Sequence, residues 1–205
     1  KKKDYMNYIH LNTFKLMIYK NIKFEKISKS EQQLQSLSLI GINYDKRLKK
    51  MLLEEYQKPS EVNDVMLNQF EEESGINFPI EYKIFLLTTN GGSPSKDTFD
   101  ISPKKNRVIQ NFFTLNSKVV SYTLKHNNSG ELISFPKYYY AIAYTVNGDF
   151  IMLNVDDDSN DYGGVYIYFH DKENSLKKIA SSFDDFLDKL HDWFDKYIDT
   201  KWLQF

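Results

Sequence analysis

The sequence predicts an α+β fold: a central, mostly antiparallel sheet packed against helices, preceded by a helical or mixed N-terminal extension. Three observations predict it. From Tyr138 the apolar period changes to two, through YAIAYT, FIMLNV and VYIYFH. Asn147-Gly148 between the first two of these runs is the strongest short hairpin signal. On either side of this strand-rich middle lie helical stripes with their own start and stop residues, the arrangement of an α+β domain.

The elements follow in order. Ser30 can cap a short helix carrying Leu34, Leu37 and Ile40, closed by Gly41. Asp45 can cap a second, with Leu48, Met51, Leu52 and Tyr56 on one face, ended by Pro59. Its basic run, Lys46 to Lys50, reads as a solvated helix face. Ser60 opens a helix in which Val62, Val65, Met66 and Phe70 fall at helical spacing, with Glu71 to Glu73 on the solvent side. Gly75 closes it in the left-handed conformation, and Ile76 folds back. Pro79 suits the first turn of the next helix, whose apolar face is Tyr82, Ile84, Phe85 and Leu86, and Asn90-Gly91-Gly92 stops it. Phe99 to Ile101 and Val108 to Leu115 read as strands, and Ser117 to His126 as a helix. Val165, Ile167 and Phe169 share one strand face; Tyr166, Tyr168 and His170 share the other. Leu176 to Ala180 adds a short strand. Ser182 with Asp185 then opens a long helix with the stripe Phe183, Phe186, Leu187, Leu190, Phe194 and Tyr197. Two units are expected: a basic extension, 1–58, and a domain, 59–205. The chain does not begin with Met, and Met17 is a candidate native start.

Composition narrows the function. A chain of 205 residues buries enough surface to fold without a disulfide or metal. It has no cysteine, which removes thiolate zinc sites and a Cys nucleophile and fits a reducing, cytoplasmic location. No apolar run reaches the ~18 residues that span a bilayer, and the segment after Lys1-Lys2-Lys3 lacks the apolar core of a signal peptide. The net charge of -1 hides an asymmetry: Lys1 to Lys58 holds 13 basic and 6 acidic residues, whereas Tyr138 to Asp171 contains no Lys or Arg. That second stretch carries Asp149, Asp156, Asp157, Asp158, Asp161 and Asp171 among seven tyrosines, a composition that repels nucleic acid and attracts basic partners.

Recognisable chemistry fails on inspection. Asp156, Asp158 and Asn160 occupy the first, third and fifth positions of an EF-hand loop, but Asp161 stands where glycine must turn and Ile167 where a bidentate Glu must ligate. His10, His126, His170 and His191 form no i,i+3 or i,i+4 pair. His170-Asp171 and His191-Asp192 lack the companion ligands of a metal phosphohydrolase. Gly91-Gly92 follows a helix, whereas a phosphate cradle follows a strand. The expectation is no enzyme, no metal and no cofactor.

An ordered set of motifs remains. An acidic helix, Phe70 to Gly75, leads to Pro79, Tyr82, Lys83, Phe85, Leu86, Asn90, Gly91 and Gly92. A strand with Ile142-Ala143 leads to Gly148-Asp149 and Ile151 to Leu153. Val165-Tyr166 leads to Ile179-Ala180, Ser182, Phe183, Phe186 and Leu187. This set resembles the SUKH superfamily, the SMI/KNR group, over about residues 60–190. The resemblance implies an α+β fold and a binding role. Many bacterial members look like immunity proteins that neutralise a cognate polymorphic toxin, often a nuclease, while fungal members act as protein-interaction scaffolds. It assigns Pro79, Tyr82, Asn90, Gly91, Gly92, Gly148, Ser182, Phe183 and Phe186 to the building of the fold. The expected function is therefore toxin neutralisation, with a regulatory or scaffold module as the alternative. The partner is a basic protein toxin, with no direct nucleic-acid or membrane binding. The contact residues are Asp149, Asp156, Asp157, Asp158, Asp161, Tyr162, Tyr166 and Tyr168, because tyrosines serve as interface anchors and carboxylates steer a cationic partner.

Overall fold

The structure, a computed structural model, describes residues 22–131, 133–172 and 175–192. Lys1 to Lys3, His10, Met17, Phe194 and Tyr197 lie outside the described residues. The elements run β1 (Phe24–Glu25), α1 (Glu31–Leu39), α2 (Lys46–Gln57), α3 (Asp64–Ser74), α4 (Ile80–Thr88), β2 (Ser93–Pro94), β3 (Thr98–Ser102), β4 (Lys105–Phe112), α5 (Leu124–Asn127), β5 (Tyr139–Thr145), β6 (Phe150–Asn154), β7 (Val165–Tyr168), β8 (Leu176–Ala180) and α6 (Phe183–Asp188). Strands β3 to β8 form one antiparallel meander in chain order, and β1 pairs with β2 in a separate two-stranded ribbon. The α+β expectation holds.

One sheet face packs on helices. Tyr82 and Phe85 of α4 and Phe183 of α6 meet Phe112 of β4 in an aromatic cluster with ring centroids 5.0–5.9 Å apart. Offset and edge-on pairs at this spacing add to their area burial. After α6 the chain crosses to the far side of β3, where Thr98 and His191 exchange backbone hydrogen bonds of 3.1 and 2.9 Å. This occupies the Thr98 end of an edge strand.

Segment 22–58 is tied to this body by the β1–β2 ribbon, by Phe24 and by Glu55. Phe24 packs edge-on against Phe85 (5.1 Å) and Phe112 (5.9 Å). Glu55 is buried, and its carboxylate accepts Ser60 N (2.6 Å), Ser60 Oγ (2.9 Å) and Lys118 N (2.8 Å). Burial raises its pKa, but these donors outweigh that and hold it below the usual carboxylate range. Around them Leu34, Leu52 and Val119 form a small second core.

Several sequence expectations shift. The helix expected from Ser60 starts at Asp64. Ser60's N–H and hydroxyl are taken by Glu55, and Asn63 caps instead, accepting Met66 N at 3.0 Å. Leu67 and Phe70 are buried, Val62 and Met66 are half-buried against the same core, and of the expected stripe Val65 is exposed. Glu71 is not a solvent residue: its carboxylate accepts Phe78 N (2.6 Å) and Lys83 Nζ (2.8 Å), bridging α3 to α4. In α2 the buried positions are Leu52 and Glu55, and Tyr56 is exposed. In α1 Leu34 is buried but Ile40 is exposed. β4 starts earlier than expected and ends at Phe112, because Leu115 N is diverted to Asn90 Oδ1 (2.8 Å). The helix expected over Ser117 to His126 is a 3₁₀ turn plus the four-residue α5, interrupted where Thr114 bonds across to Tyr122 O and Leu124 N. α6 ends at Asp188, although its stripe through Leu190 is buried as predicted.

Candidate partner-binding surface

The acidic stretch spans the β5–β6 turn and the β6–β7 loop, at opposite ends of the meander. At the turn, Gly148 adopts φ 84° and Asp149 N donates to Thr145 Oγ1 at 3.1 Å. Asp149 is 1% exposed. Its carboxylate accepts Arg107 Nε at 2.6 Å and His170 N at 3.3 Å, and lies 3.0 Å from His170 Nδ1. Burial alone would raise the pKa of Asp149, but the Arg107 and His170 bonds hold it below the usual carboxylate range. Asp149 is therefore a pin joining β4, the β5–β6 turn and the end of β7. Its burial removes it from the expected contact surface. Asp149, His170 and Asp171 bring ligand atoms within 4.8 Å of one another, but the Arg107 guanidinium already holds the charge position a cation would need.

The β6–β7 loop is built from Asn154, whose Oδ1 accepts Asp156 N (3.0 Å) and whose Nδ2 donates to Asp161 O (3.1 Å). Tyr162 Oη donates to Asn77 O at 3.0 Å and docks the loop on the α3–α4 connection. Burial, with Glu71, Asp157 and Glu81 nearby, pushes the Tyr162 phenol up to about 12. Asp161 is also engaged internally, accepting from Tyr166 Oη and Lys178 Nζ. Those bonds outweigh its desolvation and lower its pKa. Tyr166 and Tyr168 are half-buried in an aromatic row on the sheet's outer face, edge-on to Tyr139 (5.0 Å) and Phe135 (5.5 Å) respectively. Three of the expected contact residues remain as an outward cluster: Asp156, half-buried, and Asp157 and Asp158, exposed. Their carboxylates lie within 4.8 Å of one another, open to solvent.

One surface residue was outside the expected set. Tyr138 is 47% exposed with φ 68°. Tyr139 N bonds Pro136 O at 3.1 Å, which places Tyr138 at the third position of a type II turn, where glycine is normally required. Lys137 Nζ sits 4.3 Å from the Tyr138 ring centroid and interacts electrostatically with Asp156, and Tyr138 O accepts Val155 N at 2.9 Å, so the Tyr138 backbone runs alongside the start of the acidic loop. A bulky residue in the left-handed region is a strained choice. The sequence carried no cue to it, because the turn type depends on where β5 begins.

Pro79 immediately precedes α4 and packs under the loop, where a Cβ added to Gly163 would lie 3.3 Å from its ring. A Cβ on Gly91 would meet Phe113 O at 2.6 Å, and one on Gly92 would meet Glu25 O at 2.5 Å, so both must be glycine. Tyr82 is fully buried, its hydroxyl without a hydrogen-bond partner among the described residues. Ser182 Oγ caps α6 by accepting Asp185 N at 3.1 Å.

A model of the SMI1 / KNR4 family (SUKH-1) matches residues 61–189, from the approach to α3 to the end of α6. The chain belongs to this family. No individual curated protein matches it in sequence. SUKH domains are immunity and binding modules, not known enzymes. The matched span holds the whole six-stranded meander and leaves β1, α1 and α2 outside it. No helix among the described residues is long and apolar enough to cross a membrane.

Proposed function

We propose that this SUKH-1 protein is an immunity protein that binds and neutralises a cognate bacterial polymorphic toxin of nuclease type. The observation that carries the reading is the outward cluster Asp156, Asp157 and Asp158, with Tyr138 exposed on the strand end paired to Val155, on a domain of an immunity and binding family. A nuclease must present cations to bind phosphate. A rigid carboxylate cluster competes for those cations and accelerates encounter, while a half-exposed aromatic on the paired strand end supplies apolar contact. Tyr162, with Tyr166 and Tyr168 behind it, forms the supporting edge. Asp149 and Asp161 act from within, by fixing the turn and the loop.

Co-expression with the toxin encoded in the neighbouring gene should restore growth, and the two proteins should co-elute on a sizing column. Failure of both removes the reading. A neighbourhood without a toxin gene, but with a signalling partner that co-elutes, supports the scaffold alternative instead.

A further inference from the structure

The α1–α2 hairpin ends in an apolar tip that nothing in the described structure covers. Leu39 is 88% exposed, Ile40 72% and Ile42 45%. The tip is a fixed shape. Gly41, at φ 85°, closes α1 with Gly41 N bonded to Ser38 O (3.1 Å) and Ile42 N to Leu37 O (2.9 Å). The hairpin stands on a buried base of Leu34, Leu52 and Val119, so its tip cannot turn inward without breaking that packing.

Beside the tip, the first two turns of α2 carry Lys46, Arg47, Lys49 and Lys50. Lys46, Arg47 and Lys50 are exposed and Lys49 is half-buried. Asp45 is the only acidic residue from Gly41 to Leu53, and its carboxylate caps α2 by accepting Arg47 N (2.8 Å) and Leu48 N (2.9 Å). Lys50 has Glu54 at 3.7 Å, one turn further from the tip. The surface thus joins three projecting aliphatic side chains to a cationic collar.

We propose that this hairpin is a peripheral anchor for an anionic lipid surface. The chemistry selects lipid over protein. Protein interfaces concentrate energy in Trp, Tyr and Arg and are depleted of Lys, whereas this tip offers Leu and Ile with Lys around them. Aliphatic side chains enter the acyl boundary, and lysines meet lipid phosphates at the headgroup level. A face of this size gives a weak, reversible contact and is no substitute for a spanning helix. It uses no residue of the acidic loop, so it is independent of toxin binding, and it departs from the sequence expectation of no membrane binding and a merely solvated basic face at Lys46 to Lys50.

The test is co-sedimentation of the full chain with vesicles of phosphatidylcholine plus phosphatidylglycerol, and with vesicles of phosphatidylcholine alone. The wild type should bind the anionic vesicles, weaken as salt rises, and bind the neutral ones poorly. Leu39→Ser with Ile40→Ser, which leaves the charge unchanged, should lower anionic binding about tenfold with an unchanged circular dichroism spectrum. Lys46→Glu and Arg47→Glu should each lower it about fivefold or more. Absence of wild-type binding overturns the proposal. So does binding that the aliphatic pair leaves unchanged, which would assign the attraction to other cations such as Lys1 to Lys3. Preference for an acidic protein or a nucleic acid over the vesicles overturns it as well.

Discussion

Asp149 and Asp157 come from one uncharged-to-acidic stretch and end in opposite environments. Asp149, at the turn end of the meander, is 1% exposed and bound to Arg107 and His170. Asp157, at the loop end, is exposed between two other carboxylates. The difference lies in which donors the sheet delivers. At the turn end β4 brings Arg107 across from a distant part of the chain, 42 residues away. At the loop end Lys178 reaches Asp161 and Lys137 lies near the half-buried Asp156, while Asp157 and Asp158 are left to solvent. Acidic residues in a sequence therefore divide into those that hold the fold and those that face solvent, and the division follows the cations the topology supplies.

The largest effect should come from breaking the buried side. Asp149→Ala leaves the Arg107 guanidinium without its carboxylate and should cost about 3 kcal/mol in urea unfolding. A loss below about 1 kcal/mol would mean the pin adds little beyond an apolar contact. The same pair sets a pH dependence. Asp149's folded pKa is lowered, so its contribution is complete above the unfolded value of about 4 and is lost as pH falls through the folded one. Wild type and Asp149→Asn should thus differ in stability at neutral pH and converge in acid. A constant gap down to the acid limit would count against it.

Tyr138→Gly comes next. Replacing a strained left-handed tyrosine by glycine should stabilise the fold by about 0.5–1 kcal/mol. If Tyr138 anchors the partner, the same substitution weakens toxin binding, measured by calorimetry, so stability and affinity move in opposite directions. Tyr162→Phe removes the bond to Asn77 O and should cost about 1 kcal/mol in thermal unfolding. The smallest effect on the fold is at the exposed side. Reversing Asp156, Asp157 and Asp158 to Lys should change stability by no more than about 0.5 kcal/mol. It should slow toxin association by about tenfold or more at low salt. A large loss of stability would erase the contrast with Asp149, and an unchanged association rate would move the interface to another face.

Much of the fold was legible because local chemistry carried it. Ser30, Asp45, Gly75, Asn147-Gly148 and Ser182 mark starts, stops and a hairpin through hydrogen bonds within a few residues. The alternation in Val165 to Phe169 gave the correct buried face. Illegible were the positions where a distant group competes for a local donor. Ser60 reads as a cap, but Glu55 takes its donors, and α3 starts later, with Leu67 joining Met66 and Phe70 against the core and Val65 left exposed. Glu71 reads as solvent-facing, but Phe78 N and Lys83 claim it. The candidate surface suffered most, since five of its eight residues, Asp149, Asp161, Tyr162, Tyr166 and Tyr168, are engaged or packed by partners that the sequence does not place nearby.

The sequence by itself determined the α+β class, the antiparallel hairpins and the ordered motif set of the SUKH-1 family, because caps, turns and apolar periods act over short separations. Only the tertiary structure decided which carboxylates are neutralised, that Tyr138 rather than Asp149 stands at the surface, and that Leu39, Ile40 and Ile42 project from a basic hairpin. Those outcomes depend on which strands and helices come together, and a charge or an apolar side chain takes its role from the donors and surfaces that the fold places beside it.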